Sequence, residues 1–241
     1  MGLAKLVDST ILFEQFIELQ SKYPRLRLTQ DEKGLFVIRG ELDFAASFED
    51  VCIEDSYSIE IILPNDFPNT PPRIIESNNR IPSGYHMFTD GTLCLGTPVA
   101  VKKTFFQTPT LIGFVENNVI PYFYGYSYKC KYGSLPFGEL SHGSSGIREF
   151  YQEYFDVYDP EKLLGLLEIL AKNNYRGHHN CPCLSGKKVR NCHGMCLLEL
   201  LKWRSSAEFM AEYYGIAKIL LEEKEKQIIS MQNYLHEMKT G

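Results

Sequence analysis

The most specific string in the chain is CPCLSGKKVRNCHG, residues 181–194, which gathers Cys181, Cys183, Cys192 and His193. Cys181 and Cys183, with one proline between them, can face a single point from a tight turn. Cys192 and His193 follow after eight intervening residues. Neighbours on a regular helix diverge in direction, so this second pair is expected where a loop meets a helix. Three thiolates and one imidazole close a tetrahedral shell, the pattern of structural zinc (Zn2+), and leave no position for substrate water. Such a complex carries one negative charge, which Lys187, Lys188 and Arg190 are placed to offset. Cys196, four residues beyond Cys192, is an alternative to His193 as fourth ligand. A different chemistry is open to Cys94 in YHMFTDGTLCLG, residues 85–96. Its sulfur can be a nucleophile, a ligand or a small apolar filler, and taken alone it reads as the filler. With His142 of LSHGSSG as its base it would make a cysteine hydrolase.

The elements that must position these groups are legible in the patterning. STILFEQFIELQSKYP has an apolar stripe at Leu12, Phe13, Phe16, Ile17 and Leu19, which predicts an amphipathic helix ended by Pro24. LRLTQ (26–30), GLFVIRGELDF (34–44) and SYSIEIIL (56–63) alternate as strands with one buried face, and their short links predict an antiparallel meander. LPNDFPNTPPRII carries Pro64, Pro68, Pro71 and Pro72, which predicts a stiff extended exit, with RIIES rejoining as an edge strand. Asp90-Gly91 marks a turn, and Cys94 is expected on a mostly irregular segment. A helix is expected over 108–119, another over SSGIREFYQEYF, and a third from Pro160 with Asp159 as its cap. Ser205 and Glu208 form a capping box for a long last helix to about Met238. Its steps of four and three through Met210, Tyr214, Ala217, Leu221, Lys224, Ile228, Met231, Leu235 and Met238 make an apolar seam broken by Lys224. The seam calls for packing within the chain or for helix-mediated association.

Two family resemblances rest on these residues. The 181–194 string resembles the SEC-C motif, with Ser185, Gly186 and Lys187 in the family's positions and Leu184 where glycine is common. The span 57–95 resembles ubiquitin-conjugating enzymes. Pro64, Phe67, Pro68, Pro71 and Pro72 match that family's proline string, and Gly91, Leu93, Cys94 and Leu95 match its cysteine segment. The likeness covers roughly residues 8–120. It implies an α+β ubiquitin-conjugating fold, an antiparallel meander with flanking helices, over residues 1–158. A helical extension over 159–241 follows, with the zinc motif at 178–196. The implied chemistry is acyl transfer: Cys94 takes a protein's C-terminal carbonyl as a thioester and passes it to a lysine amine of an acceptor protein. Where the family has the asparagine that steadies the oxyanion, eight residues before the cysteine, this chain has His86. Its imidazole could donate to the oxyanion or act as base toward the amine. Asp90 would either disfavour the thiolate or orient the amine. Residues 133–155 resemble bacterial homologues found in anti-phage (CBASS) operons, which implies a cGAS-like nucleotidyltransferase as the protein conjugated. No Gly-rich nucleotide loop is present, so a separate activating enzyme, or else an unusual charging route, is expected.

The bulk properties fit a cytoplasmic protein. The net charge of −5 argues against broad nucleic-acid binding, although not against a local basic patch. No apolar run is long enough for a bilayer, and the opening MGLAKLVDST lacks a signal-peptide core and has Leu6 where a myristoylation signal wants Ser or Thr. Four of the seven cysteines crowd into residues 181–196, which suits metal ligation in a reducing compartment and not a disulfide framework. A non-catalytic adaptor that keeps the conjugating fold for binding is the remaining alternative.

Overall fold

The computed structural model describes residues 9–137, 141 and 143–240, so His142 and the opening eight residues lie outside it. The chain forms two compact units, Met1–Leu140 and Ser141–Gly241. The division expected at 158/159 falls inside the second.

The first unit is mixed α and β. Helix α1 (Ser9–Lys22) precedes four antiparallel strands in the order β1-β2-β3-β4: Leu26–Gln30, Phe36–Phe48, Val51–Ile62 and Arg73–Glu76. The edge strand expected from RIIES is β4. β2 and β3 run further than their alternation indicates, pairing from Val37↔Ile62 to Phe48↔Val51 around a turn at Glu49-Asp50. Glu54 and Asp55 look like loop residues, but unbroken cross-strand pairing overrides that local preference.

Leu12, Phe16, Leu19 and Tyr23 carry α1 onto the sheet, while Phe13 and Ile17 are 49% and 66% exposed. Steps of four, three and four stay on one helical face; the residues next to them turn away. The proline string is not extended. Phe67 N–H donates to the Pro64 carbonyl at 3.0 Å and Asn69 N–H to the Asp66 carbonyl at 2.7 Å, so the chain turns there and buries the Phe67 ring.

Helix α2 (Pro98–Gln107) lies just beyond Cys94, where no helix was expected. Its signal is Thr97-Pro98: the threonine hydroxyl accepts from Ala100 N–H and proline occupies the first turn. The helix expected over 108–119 reaches Tyr132 as α3 (Leu111–Phe114), a π turn (Val115–Val119) and α4 (Ile120–Tyr132). Pro121 has no N–H to give the fourth carbonyl back, and its ring crowds that carbonyl, so the chain widens there. Ile120 N–H accordingly reaches five residues back, to Val115.

A partly buried polar network ties α4 to the sheet. Arg80 grips Asp55 with two bonds of 2.6 and 2.8 Å, and its guanidinium lies 4.2 Å from the centre of the Tyr57 ring. Ser127 Oγ, on α4, donates to Asp55 at 2.6 Å and meets Tyr57 Oη at 2.7 Å. The adjoining loop is held by Glu76, 4% exposed, whose carboxylate accepts from the backbone N–H groups of Asn78, Arg80 and Ile81 at 2.8, 2.6 and 3.2 Å.

The second unit contains α5 (Gly143–Phe155), α6 (Pro160–Ala171), α7 (Gly194–Leu201) and α8 (Ser206–Thr240). Asp159 caps α6 by accepting from Glu161 and Lys162 N–H, and Ser205 and Glu208 close the expected box before α8. The face that α8 buries is Phe209, Glu212, Ile216 and Leu220, not the seam read from sequence. Tyr214, Leu221, Ile228, Met231 and Met238 of that seam are all more than half exposed. At the buried face Arg204 pairs with Glu212 through bonds of 2.7 and 2.9 Å, and Tyr151 donates to the same carboxylate at 2.6 Å. Among the described residues no helix is long and apolar enough to cross a membrane.

Two outcomes follow from these paired charges. Burial alone would raise the Asp55 carboxyl, but the bonds from Arg80 and Ser127 outweigh it and lower its pKa from 3.8 to about 2. A carboxyl depressed in the folded state stabilises it above the unfolded value and loses that contribution as pH falls through the folded one. Wild type should therefore lose stability between pH about 4 and about 2. Asp55→Asn should be less stable at neutral pH and flatter across that window, as read by denaturant melts. Glu212→Ala leaves the buried Arg204 guanidinium with only the longer Glu208 contact, at 3.6 Å, and should cost about 3 kcal/mol in the same assay.

Candidate functional site

Cys94 sits on a small hairpin hung from the edge of the sheet. Leu93 N–H donates to the Ile74 carbonyl of β4 at 2.8 Å. Across the hairpin, Cys94 N–H donates to the His86 carbonyl at 2.7 Å and Phe88 N–H to Thr92 at 2.8 Å, so Met87 faces Leu93 and His86 faces Cys94. The eight-residue spacing is thus the arithmetic of an antiparallel register about one turn. Gly91, at φ 83, takes the left-handed position in that turn, and its N–H closes it on the Phe88 carbonyl at 3.0 Å. Cys94 itself is on a mostly irregular segment, as expected, one residue beyond the isolated bridge Met87↔Leu93.

The Asp90 carboxylate closes the same turn. It accepts from Thr92 N–H at 3.0 Å and Thr92 Oγ at 2.6 Å, and it pairs with Arg73 at 3.1 Å. The Thr92 bonds, more than Arg73, hold its carboxyl below the usual carboxylate range. These bonds brace the turn.

Cys94 is half-buried, with Sγ 3.7 Å from the Gly96 carbonyl, and His86 is half-buried too. The sulfur is therefore not the sealed apolar filler that a lone cysteine suggests. His86 has φ 37, a left-handed conformation that asparagine, aspartate and histidine enter more often than other side chains. Its imidazole meets the Tyr85 ring edge-on at 4.7 Å. Tyr122, on α4, lies beneath this strand, and its hydroxyl donates to the carbonyls of both Tyr85 and His86, at 3.2 and 3.3 Å. No motif pointed to Tyr122. Its only sequence signal was a run of tyrosines that an irregular segment would not have needed.

The second cluster lies in the helical unit. The ligand atoms of Cys181, Cys183, Cys192 and His193 are all within 4.8 Å of one another, an arrangement that could hold a metal ion. Cys181 Sγ is 3.2 Å and Cys192 Sγ 3.4 Å from His193 Nδ1, and the Cys183 and Cys192 sulfurs are 3.5 Å apart. Tetrahedral zinc, with bonds of ~2.3 Å to sulfur and ~2.0 Å to nitrogen, would set its ligands ~3.6–3.8 Å apart. The cluster is close to that size. A short antiparallel bridge, Asn180↔Lys188, presents Cys181 and Cys183, while Cys192 ends a 3-10 turn and His193 caps α7. The loop–helix junction expected for the last pair is there.

His193 Nε2 is 2.9 Å from the Phe155 carbonyl, which fixes the proton on Nε2 and turns the Nδ1 lone pair toward the sulfurs. Ser185 Oγ lies 3.2 and 3.4 Å from the Cys183 and Cys192 sulfurs. Burial pushes the Cys181 thiol up to about 11, so a thiolate there needs a cation beside it. Cys196 is outside the group of four and accepts at its backbone carbonyl from Tyr154 at 3.3 Å. Close approach of α6 to the knob depends on Gly165, where a Cβ would come within 2.8 Å of Pro182.

No family model matches the chain, and no curated protein matches it. Among solved structures it is similar to a complex of the Vps23 UEV with ubiquitin, at 18% identity and TM-score 0.27 over 38% of this chain and 67% of that one. It is also similar to the yeast Vps23 UEV domain in complex with a Vps27 PSDP peptide, at 19% identity and TM-score 0.27 over 37% and 67%.

If the four side chains share one ion, titrating the metal-stripped protein with cobalt should develop the visible bands of a tetrahedral thiolate complex, saturating at one equivalent. Cys192→Ser should shift and weaken those bands, and Cys196→Ser should leave them unchanged.

Proposed function

We propose that the first unit is a ubiquitin-conjugating-type domain in which Cys94 carries another protein's C-terminus, and that the Cys3His cluster holds a structural zinc. The observation that carries the first part is the pairing of a half-buried, unsealed sulfur with His86 across a hairpin fixed to the sheet edge. The ligand sizes and the His193 tautomer support the second. A fourth protein ligand closes the zinc shell, so the metal would stabilise the fold around it and supply no reacting group.

In the reaction, the Cys94 thiolate attacks the carbonyl carbon of a C-terminus already activated as a thioester or acyl adenylate by a separate enzyme. The activating group leaves and a new C–S bond forms. A lysine amine of the acceptor then attacks the same carbon, loses a proton, and expels Cys94 as thiolate, leaving an isopeptide bond. The His86 imidazole, on the residue whose carbonyl accepts from Cys94 N–H, would serve the oxyanion or the amine proton. The protein conjugated would be a cGAS-like nucleotidyltransferase if the likeness of residues 133–155 to the anti-phage homologues extends to partners.

The test is the intact mass of the full chain isolated under non-reducing conditions from its own cells. A protein-sized adduct released by a thiol reagent is expected, and Cys94→Ser should trap an adduct that the reagent no longer releases. An unmodified chain, or peptide hydrolysis with no adduct, overturns this reading.

A further inference from the structure

An O–H that bonds two successive backbone carbonyls asks something unusual of the backbone. In an extended strand successive carbonyls point to opposite sides. A residue in the left-handed region turns two in a row to the same side, as in a helical turn. His86 is such a residue, and the two carbonyls that flank its conformation, its own and that of Tyr85, are the pair that Tyr122 Oη reaches at 3.2 and 3.3 Å. The same His86 carbonyl also receives Cys94 N–H at 2.7 Å. One carbonyl oxygen, with two lone pairs, is thus shared between the phenol below and the cysteine across the hairpin.

A left-handed histidine costs about 1–2 kcal/mol over the ordinary conformation. Something must hold it, and the hairpin turn does not, since His86 lies outside the Phe88–Gly91 closure. The ring packing around Tyr122 makes it a fixed post. Its ring lies 5.7 Å from that of Tyr85 and 5.7 Å from that of Phe123, both edge-on, in a buried aromatic layer. We propose that Tyr122 is a positioning residue: its hydroxyl clamps His86 in the left-handed conformation and so sets the imidazole against Cys94. Burial pushes the Tyr122 phenol far above its usual range, with Tyr85 and Cys94 adding to the effect, so the clamp stays a neutral donor at every physiological pH.

This inference deepens the Cys94 reading, but its test does not need a conjugation partner. The rate of Cys94 alkylation by iodoacetamide is followed on the full chain by peptide mass, across pH, in wild type, Tyr122→Phe, His86→Asn and the double variant. Tyr122→Phe should slow alkylation about fivefold and change the shape of the pH profile. His86→Asn, which tolerates the left-handed conformation but lacks the imidazole, should do the same with Tyr122 intact. The double variant should be no slower than either single one. Equal slowing by Tyr122→Phe in both backgrounds, or none in either, overturns the clamp; so does His86→Asn alkylating at the wild-type rate, whether or not Tyr122→Phe folds. A failed clamp with a thiol-released adduct still present would leave the conjugation reading standing. A coupled pair with no adduct would do the reverse.

Discussion

A hydrogen bond from Leu93 N–H to the Ile74 carbonyl joins the sheet of the first unit to the hairpin that carries Cys94. β4 is an edge strand only four residues long, and an edge strand leaves a row of backbone groups without partners in the sheet. Here the Cys94 hairpin takes one of those groups and continues the ladder for a single step. The sulfur thereby inherits the sheet's position while remaining beyond its packed face. His86 reaches Cys94 by hairpin register and Asp90 by turn closure, while Tyr122 meets the same segment from α4 beneath.

The metal-type cluster solves a comparable problem by other means. Residues 172–193 contain little regular structure and few apolar side chains, so there is no core to hold them. Four ligand side chains drawn to one point replace that core, and the His193 bond to the Phe155 carbonyl ties the knob to the end of α5. Val189, buried at 1% exposure, is the exception that packs. Leu184 does the opposite: it adopts φ 59 and is 77% exposed.

Where local chemistry decided the structure, the sequence could be read. The meander order came from alternation, α6 from Asp159-Pro160, α8 from Ser205 and Glu208, and the four-ligand cluster from spacing alone. Where tertiary contacts decided, it could not. Glu54 and Asp55 entered a strand because β2 offered partners on the other side. Helix α8 has two apolar stripes, and which one is buried depends on α5 and α6 and on the Arg204–Glu212 pair, none of which is visible in its own periodicity. The aromatic run 122–128 has no polar–apolar rhythm because most of its tyrosines use the ring for packing and the hydroxyl for a backbone carbonyl: Tyr122 at Tyr85 and His86, Tyr124 at Val51, Tyr126 at Arg80. Half of the Cys94 site was therefore legible as spacing, and the half beneath it was not.

The π turn at Val115–Val119 looks like a local accommodation of Pro121, yet it acts as a phase shifter. One surplus residue in a helix rotates everything downstream by about 100°. The α4 side chains that reach the sheet and the hairpin, Tyr122, Tyr126 and Ser127, owe their azimuth to that surplus. A descendant of this chain that shed one residue there would keep a continuous helix and present the Cys94 hairpin with the wrong flank.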